Sequence, residues 1–381
     1  MSKDKKLMRV VTISHAFKEL IRGQMAYLDQ HFEVVGVASD VGSLDEVGKA
    51  EGVRVVNVDM AREISLWRDV KSLVALYRLF RREKPYIVHA NTPKASLLSM
   101  VAAWAARVPH RLYTVTGLRF ETTRGILRCV LKTMERITCL CATKIIPEGD
   151  GVRDTLRRER ITRKPLQKIL NGNINGIDLT HFDRTPEVEE RARELRQTDM
   201  FSFVFVGRMV KDKGMNELVA AFERLSRVRE DVRLVLVGRF EDIDPLLPET
   251  VQLIERNERI VMAGYQSDVR PYLAASDVLV LPSYREGFPN VVIQAGAMGL
   301  PSIVTDISGS NEIILDNKNG VIVPKQDADA LYEAMLRLCT ETQTTTRLGS
   351  EARSMVAARY SQAELWKAIL EMYESLPEKA V

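Results

Sequence analysis

The sequence predicts an α/β protein made of two doubly wound halves, and three observations carry that reading. Runs rich in valine and isoleucine alternate with helical patterns along all 381 residues. The strand runs are continuously apolar, which fits parallel sheets covered by helices on both faces. The pattern also restarts midway, after a segment rich in asparagine, glycine, aspartate and proline.

In chain order, the first half offers strands at RVVTI (9–13), EVVGVAS (33–39), RVVNV (54–58), YIVHAN (86–91) and RLYTVT (111–116). Between them lie stretches such as 67–83, where Val70, Leu73, Val74, Tyr77 and Phe80 recur at helical spacing. The segment NGNINGIDLTHFDRTPEVEE (171–190) reads as a linker. The second strand set is FSFVFVGR (201–208), RLVLVGR (233–239), RIVMAGY (259–265), DVLVLPS (277–283) and PSIVTD (301–306). A helix at 361–376 closes the chain. The expected organisation is two Rossmann-like domains, 1–183 and 184–360, with 361–381 returning to the first. Ligands in such sheets bind at the C-terminal strand edges, and two edges facing one cleft are expected.

Composition narrows the function. With 45% hydrophobic and 28% charged residues the chain is ordinary for a folded protein. A net charge of +4 is too small to point to nucleic acid. The longest apolar run, LLSMVAAWAA (97–106), is shorter than the roughly 20 residues that cross a bilayer. The basic N-terminus is followed only by VVTI, too short for a secretory core, so a cytoplasmic location is expected. Cys129, Cys139, Cys141 and Cys339 lack zinc spacing and read as reduced thiols. One segment, 119–136, sets five basic residues against two acids and interleaves Ile126, Leu127, Val130, Leu131 and Met134. It reads either as a surface for anionic lipid or as a solvated helix face.

Two stretches are candidates for chemistry. In FVFVGRMVKDKG (203–214) a strand ends at Val206, Gly207 turns the chain, and Arg208 and Lys213 follow before a helix that starts about Gly214. Two cations at the mouth of a parallel sheet neutralise a diphosphate, or are surface residues beside a turn. In PSYREGFPNVVIQAGAMGLPSIVTD (282–306) Gly287 permits close backbone approach and Pro289 sits near the first helical position. Asn290, Val291 and Val292 would then offer helix N-terminal N–H groups to an anion. Glu286 suits sugar hydroxyls, or else complements the helix dipole, and Gln294 lies two turns further on. No GxGxxG, Walker A, HExxH or GxSxG is present.

Taken with IVHANTPKASLL (87–98), YTVTGLRFE (113–121), NGNINGIDLTHF (171–182), GSNEII (309–314) and NGVIVP (319–324), these stretches resemble retaining GT-B glycosyltransferases of family 4. The resemblance spans nearly the whole chain and leans to bacterial enzymes of capsule, O-antigen or other polyprenol-linked glycans. It implies that Arg208 and Lys213 grip a nucleotide-sugar diphosphate and that Glu286 hydrogen-bonds the donor sugar. The backbone of Gly207, Gly287, Phe288, Pro289, Asn290 and Val291 would shape that pocket. The family has a second glutamate for the ribose where this chain has Gln294, which keeps the hydrogen bonding and loses the charge. His89, implied as a catalytic residue contacting the acceptor or the donor, stands where relatives have the first histidine of His-x-His, with Asn91 in place of the second and Thr116 where a histidine is common. With Arg119, Ser14, His15 and Gly23 these form the implied acceptor side.

The implied mechanism is front-face transfer, in which the acceptor hydroxyl enters on the side the nucleotide leaves. Fixed cations take the part a metal plays elsewhere, no cofactor is expected, and DID (242–244) lies in a polar connection rather than a metal site. The implied partners are a nucleotide sugar, most often UDP-linked in this family, a glycan or lipid-linked glycan acceptor, and the inner membrane face through 119–136. A sugar-nucleotide 2-epimerase and a catalytically silent partner subunit are the alternatives; a nicotinamide oxidoreductase lacks its glycine-rich loop.

Overall fold

A computed structural model describes residues 5–61 and 65–378. The chain divides into two compact units, Met1–Gly176 with Gln362–Val381, and Ile177–Ser361. The break lies inside the expected linker but ahead of residue 183. Ile177 N–H donates to the Tyr360 carbonyl at 2.8 Å, and Leu179 and Phe182 pack on the second core.

The first unit runs β1 (Lys6–Ile13), α1 (His15–Leu20), α2 (Gln24–Leu28), β2 (Glu33–Ser39), α3 (Leu44–Glu51) and β3 (Arg54–Asn57). It continues with α4 (Leu66–Glu83), β4 (Ile87–Ala90), α5 (Pro93–Ala105), β5 (His110–Val115), α6 (Gly125–Cys141), β6 (Lys144–Pro147) and α7 (Asp150–Arg158). The second unit runs α8 (Pro186–Leu195), β7 (Phe201–Val206), α9 (Met215–Val228), β8 (Val232–Val237), α10 (Pro248–Arg256) and β9 (Ile260–Gly264). Then come α11 (Arg270–Ala274), β10 (Val278–Leu281), α12 (Asn290–Ala297), β11 (Ser302–Thr305), α13 (Ser310–Ile313), β12 (Gly320–Val323), α14 (Ala328–Thr340) and α15 (Thr342–Arg359). The closing helix α16 (Gln362–Glu374) belongs to the first unit.

Both sheets are parallel, ordered β3-β2-β1-β4-β5-β6 and β12-β11-β10-β7-β8-β9. Each therefore reverses direction once, between β1 and β4 and between β7 and β10. Crossovers of one hand then place α4, α5 and α6 on a single face of the first sheet. The core under them holds Met8, Val10, Leu76, Phe80 and Tyr113. The opposite face is covered by α1 to α3 and by α16, through Leu365, Ile369, Leu370 and Tyr373.

Beneath α6, Glu135 lines a pocket with Asp69, Lys94 and Arg119. Burial pushes its carboxyl up to about 7, against the Tyr113 hydroxyl that donates to it at 2.9 Å. Below its ordinary pKa of 4.5 both folded and unfolded chains hold the proton, and burial costs nothing there. Between 4.5 and about 7 only the folded chain keeps it, so stability falls as pH rises through that window. Glu135→Gln keeps an acceptor for Tyr113. It is expected to raise stability at pH 8 by about 2–3 kcal/mol and to change it little at pH 4.5. Melting curves across pH test this; a pH-independent difference between the two proteins would contradict it.

Candidate functional site

The reversal between β7 and β10 is where an open parallel sheet leaves a crevice at its C-terminal edge. The loop after β7 and the loop after β10 flank it, and the two are locked together. Tyr284 N–H donates to the Asp212 carbonyl at 2.8 Å, and its hydroxyl donates to Glu217 at 2.6 Å. Gly214 has φ +69°, and a Cβ there would stand 2.0 Å from the Pro282 carbonyl oxygen, so only glycine fits that crossing.

The cations occupy the first loop. Lys213 Nζ sits 2.5 Å from Glu286 Oε1, with both side chains largely buried. Arg208 is more open, 59% exposed, and its guanidinium donates to Glu241 Oε2 at 2.9 Å. A third loop closes on the second: Gly309, φ +80°, brings its Cα so near that a Cβ would lie 2.3 Å from the Gly287 carbonyl oxygen. The structure thus brings Lys213, Glu286 and Gly287 together at one edge, with Gly207 and Arg208 following β7, Asn290 and Val291 opening α12, and Gln294 in its second turn.

One expectation here needs correction. Val292 N–H donates to the Pro289 carbonyl at 3.0 Å, so it is not available to an anion. Phe288, expected to contribute its backbone, buries its side chain edge-on against Tyr360, ring centroids 5.6 Å apart. The sequence reading also missed Glu241 and Asp244. Asp244 Oδ2 accepts from Asp212 N–H at 2.7 Å and Asp244 O from Lys211 N–H at 3.0 Å, which holds the turn carrying Lys213. The DID stretch is therefore a backbone brace, and a left-handed Asp244 (φ 65°) was its hidden feature. Among the described residues no group of three or more His, Cys, Asp and Glu side chains is placed to hold a metal ion.

In the first unit, Ser14, His15, Asn91 and Thr116 stand at or just beyond the ends of β1, β4 and β5. Ser14 Oγ bonds Ser43 Oγ at 2.7 Å, exposed His15 reaches Ser43 Oγ at 3.2 Å, and Thr116 donates to the Asn91 carbonyl at 2.8 Å. Exposed Arg119 lies in a 3-10 turn after β5.

His89 does not join them. It is 2% exposed and its Nδ1 lies 2.5 Å from the Tyr373 hydroxyl, its Nε2 2.7 Å from Thr114 Oγ1. Burial, then the charge of Arg9, hold it well below its ordinary pKa, so it is a neutral packing residue and not a substrate contact. Asn91 is likewise buried, its side-chain oxygen accepting from Arg9 at 2.8 Å. Gly23 is turned to the closing helix: a Cβ on it would meet the Trp366 ring at 2.8 Å.

Residues 200–341 match the family described as glycosyl transferases group 1, and residues 12–172 match the glycosyl transferase 4-like domain. The chain is 32% identical over 375 residues to the capsular polysaccharide biosynthesis glycosyltransferase CapM of Staphylococcus aureus, covering 98% of each chain. It is 27% identical over 352 residues to the UDP-Gal:alpha-D-GlcNAc-diphosphoundecaprenol alpha-1,3-galactosyltransferase of Escherichia coli, covering 91% of this chain and 89% of that one. The crystal structure of Anabaena HepE with UDP and glucose shares the fold, with a TM-score of 0.82 at 20% identity over 98% of this chain and 100% of that one. Two doubly wound sheets of one strand order, matched across both units by sequence, make the chain a member of the GT-B glycosyltransferases of family 4.

Proposed function

We propose that this glycosyltransferase moves a hexosyl or N-acetylhexosaminyl group from a UDP-sugar, with retention, to a hydroxyl of a polyprenol-diphosphate-linked glycan in cell-surface polysaccharide assembly. The observation that carries the reading is the Lys213–Glu286 contact of 2.5 Å at the reversal of the second sheet. A cation for phosphate and a carboxylate for hydroxyls stand side by side there, as a sugar diphosphate requires. The name of the E. coli relative gives a UDP-galactose donor and a diphosphoundecaprenol acceptor, and the HepE structure holds UDP and glucose.

In this reading Lys213 and Arg208 leave Glu286 and Glu241 to meet the donor diphosphate. The bond between the anomeric carbon and the phosphate oxygen breaks, and its electron pair goes to the departing UDP. The two cations stabilise that charge as it grows, without a metal. Glu286, freed from Lys213, accepts hydrogen bonds from the sugar hydroxyls, and Gln294 contacts the ribose. The acceptor oxygen bonds the anomeric carbon on the same face, and its proton passes to the leaving phosphate oxygen. Catalysis is then chiefly positioning and electrostatics. Ser14, His15, Thr116 and Arg119 border the acceptor side.

A panel of nucleotide sugars tested for thermal stabilisation finds the donor, since a ligand bound only by the folded state raises the melting temperature. Product anomers are then read by NMR with a polyprenol-diphosphate acceptor. Retained configuration, and activity unchanged in EDTA, are the expected results. Inverted product overturns the stereochemistry, metal-rescued activity overturns the metal-independent mechanism, and an epimerised donor formed without acceptor overturns the transfer itself.

A further inference from the structure

The helix α6 packs Leu131 and Cys139 on the core and carries a second apolar stripe away from it. Four of its five large exposed apolar residues, Ile126, Val130, Ile137 and Leu140, fall within about an 80° arc at 3.6 residues per turn, and Leu127 lies about 60° outside it. Ile126 is 84% exposed and Leu140 73%. The charged side chains Arg128 and Lys132 lean the other way, both to Glu159, at 2.9 and 2.7 Å. A helix on a soluble surface ordinarily shows the opposite arrangement.

The neighbouring α4 repeats the feature. Trp67, Val70, Val74 and Tyr77 are exposed and fall within another arc of about 80°, apart from the side that packs on the core. Trp67 is 83% exposed. Between them α5 packs against both helices and exposes Trp104 at its far end. Three adjacent helices of one layer thus turn apolar side chains, two of them tryptophan, away from their own core.

Charge identifies the occupant. The helices α4, α5 and α6 carry nine basic and three acidic side chains. Each acid is engaged inside the unit: Asp69 by Lys94 at 2.6 Å, Glu83 by Lys6 and Arg54 at 2.7 Å, and Glu135 by Tyr113 at 2.9 Å. The exposed basic residues, among them Arg68, Lys71, Arg78 and Arg136, are left to rim the apolar stripes. A second copy of this face would oppose one basic rim to another. An anionic lipid surface supplies both the opposite charge and an apolar layer beneath it. No helix among the described residues is long and apolar enough to cross a membrane, so a face that lies on the surface is the geometry that remains for helices.

We propose that the outer face of α4, α5 and α6 docks flat on an anionic bilayer. Ile126, Val130, Ile137 and Leu140 enter the headgroup boundary beside Trp67, and the basic rim pairs with lipid phosphates. The surface extends the expected 119–136 segment to α4 and α5, and for its place in the reaction it rests on the lipid-linked acceptor proposed above.

Flotation with vesicles tests it, using phosphatidylcholine alone and with about 30% phosphatidylglycerol. The full chain is expected to bind the anionic vesicles and to lose about tenfold or more of that binding in high salt or on neutral vesicles. Ile126→Asp with Leu140→Asp, and separately Trp67→Ser with Val74→Ser, are each expected to weaken binding by about tenfold or more at unchanged melting temperature. Stabilisation by UDP, measured on the same samples, should be unchanged. No binding by the wild type, or variants that float as it does, overturns the surface, as does a solution dimer that the α6 variant dissociates. Vesicle binding without any effect of UDP leaves the surface standing and removes the donor reading instead.

Discussion

Lys213→Ala is expected to lower turnover by about tenfold or more, the loss that follows from deleting one charge-assisted contact to a developing phosphate anion. Lys213 Nζ is fixed 2.5 Å from Glu286, and its turn is braced from two directions by Asp244 and Tyr284. The turn that carries the ammonium therefore stays in place while the side chain leaves Glu286 for a diphosphate, and a charge held on a fixed backbone is what makes such stabilisation effective. Arg208→Ala should show the same order of loss by a different route. Its open guanidinium is held by Glu241 in an exposed ion pair, so the effect should fall on transfer with little change in melting temperature. Glu286→Gln should impair transfer more than Gln294→Glu, because the first removes the carboxylate paired with Lys213 and the second adds one further into α12. Steady-state rates against donor concentration, with circular dichroism as the control for fold, decide the matter. Unchanged kinetics in Lys213→Ala would remove the electrostatic role, and the reverse ranking of the two α12-side variants would mean that their positions have been exchanged.

Much of this was legible in the residues, for physical reasons that differ by element. Ten strands were readable from apolar runs such as 34–38 and 203–205, which are buried on both faces. The edge strands β6 and β12 were not, since four residues of KIIP or GVIV carry too little periodicity to separate from a loop. Lys213 and Glu286 could be placed together because topology alone brings the loops after the first and fourth strands of such a sheet to one crevice. Glu241 could not, because its meeting with Arg208 depends on the Met209–Phe240 bridge between neighbouring loops. His89 misled for a related reason. A histidine near a strand end reads alike whether it opens on a ligand or on a helix, and its partner Tyr373 lies 284 residues further along the chain.

That partnership sets the second large effect, on stability. Arg9 is buried, and its guanidinium donates to Tyr373 at 2.7 Å and to Asn91 at 2.8 Å, with no carboxylate among these partners. Arg9 also lies 3.2 Å from His89 Nδ1, and a guanidinium only donates, so Nδ1 is an acceptor, toward which the tyrosine proton points, and Nε2–H faces Thr114. Tyr373 therefore joins a charge, a neutral imidazole and the helix α16 in one chain of bonds, and its ring packs edge-on against Phe32. Tyr373→Ala should cost about 3–5 kcal/mol, from the cavity together with unsatisfied partners. Tyr373→Phe should cost about 1–3 kcal/mol, because it keeps the ring and deletes only the hydroxyl. The same cluster makes the wild type acid-sensitive. His89 stays neutral when folded but gains a proton when unfolded as pH falls through its ordinary 6.5, so stability declines below that value, and in His89→Gln the decline should be smaller. Thermal unfolding of the three variants between pH 5 and about pH 8 measures these terms. If Tyr373→Phe melts with the wild type while His89→Gln raises only the acceptor KM, the cluster is not a structural tie and His89 returns to the reaction.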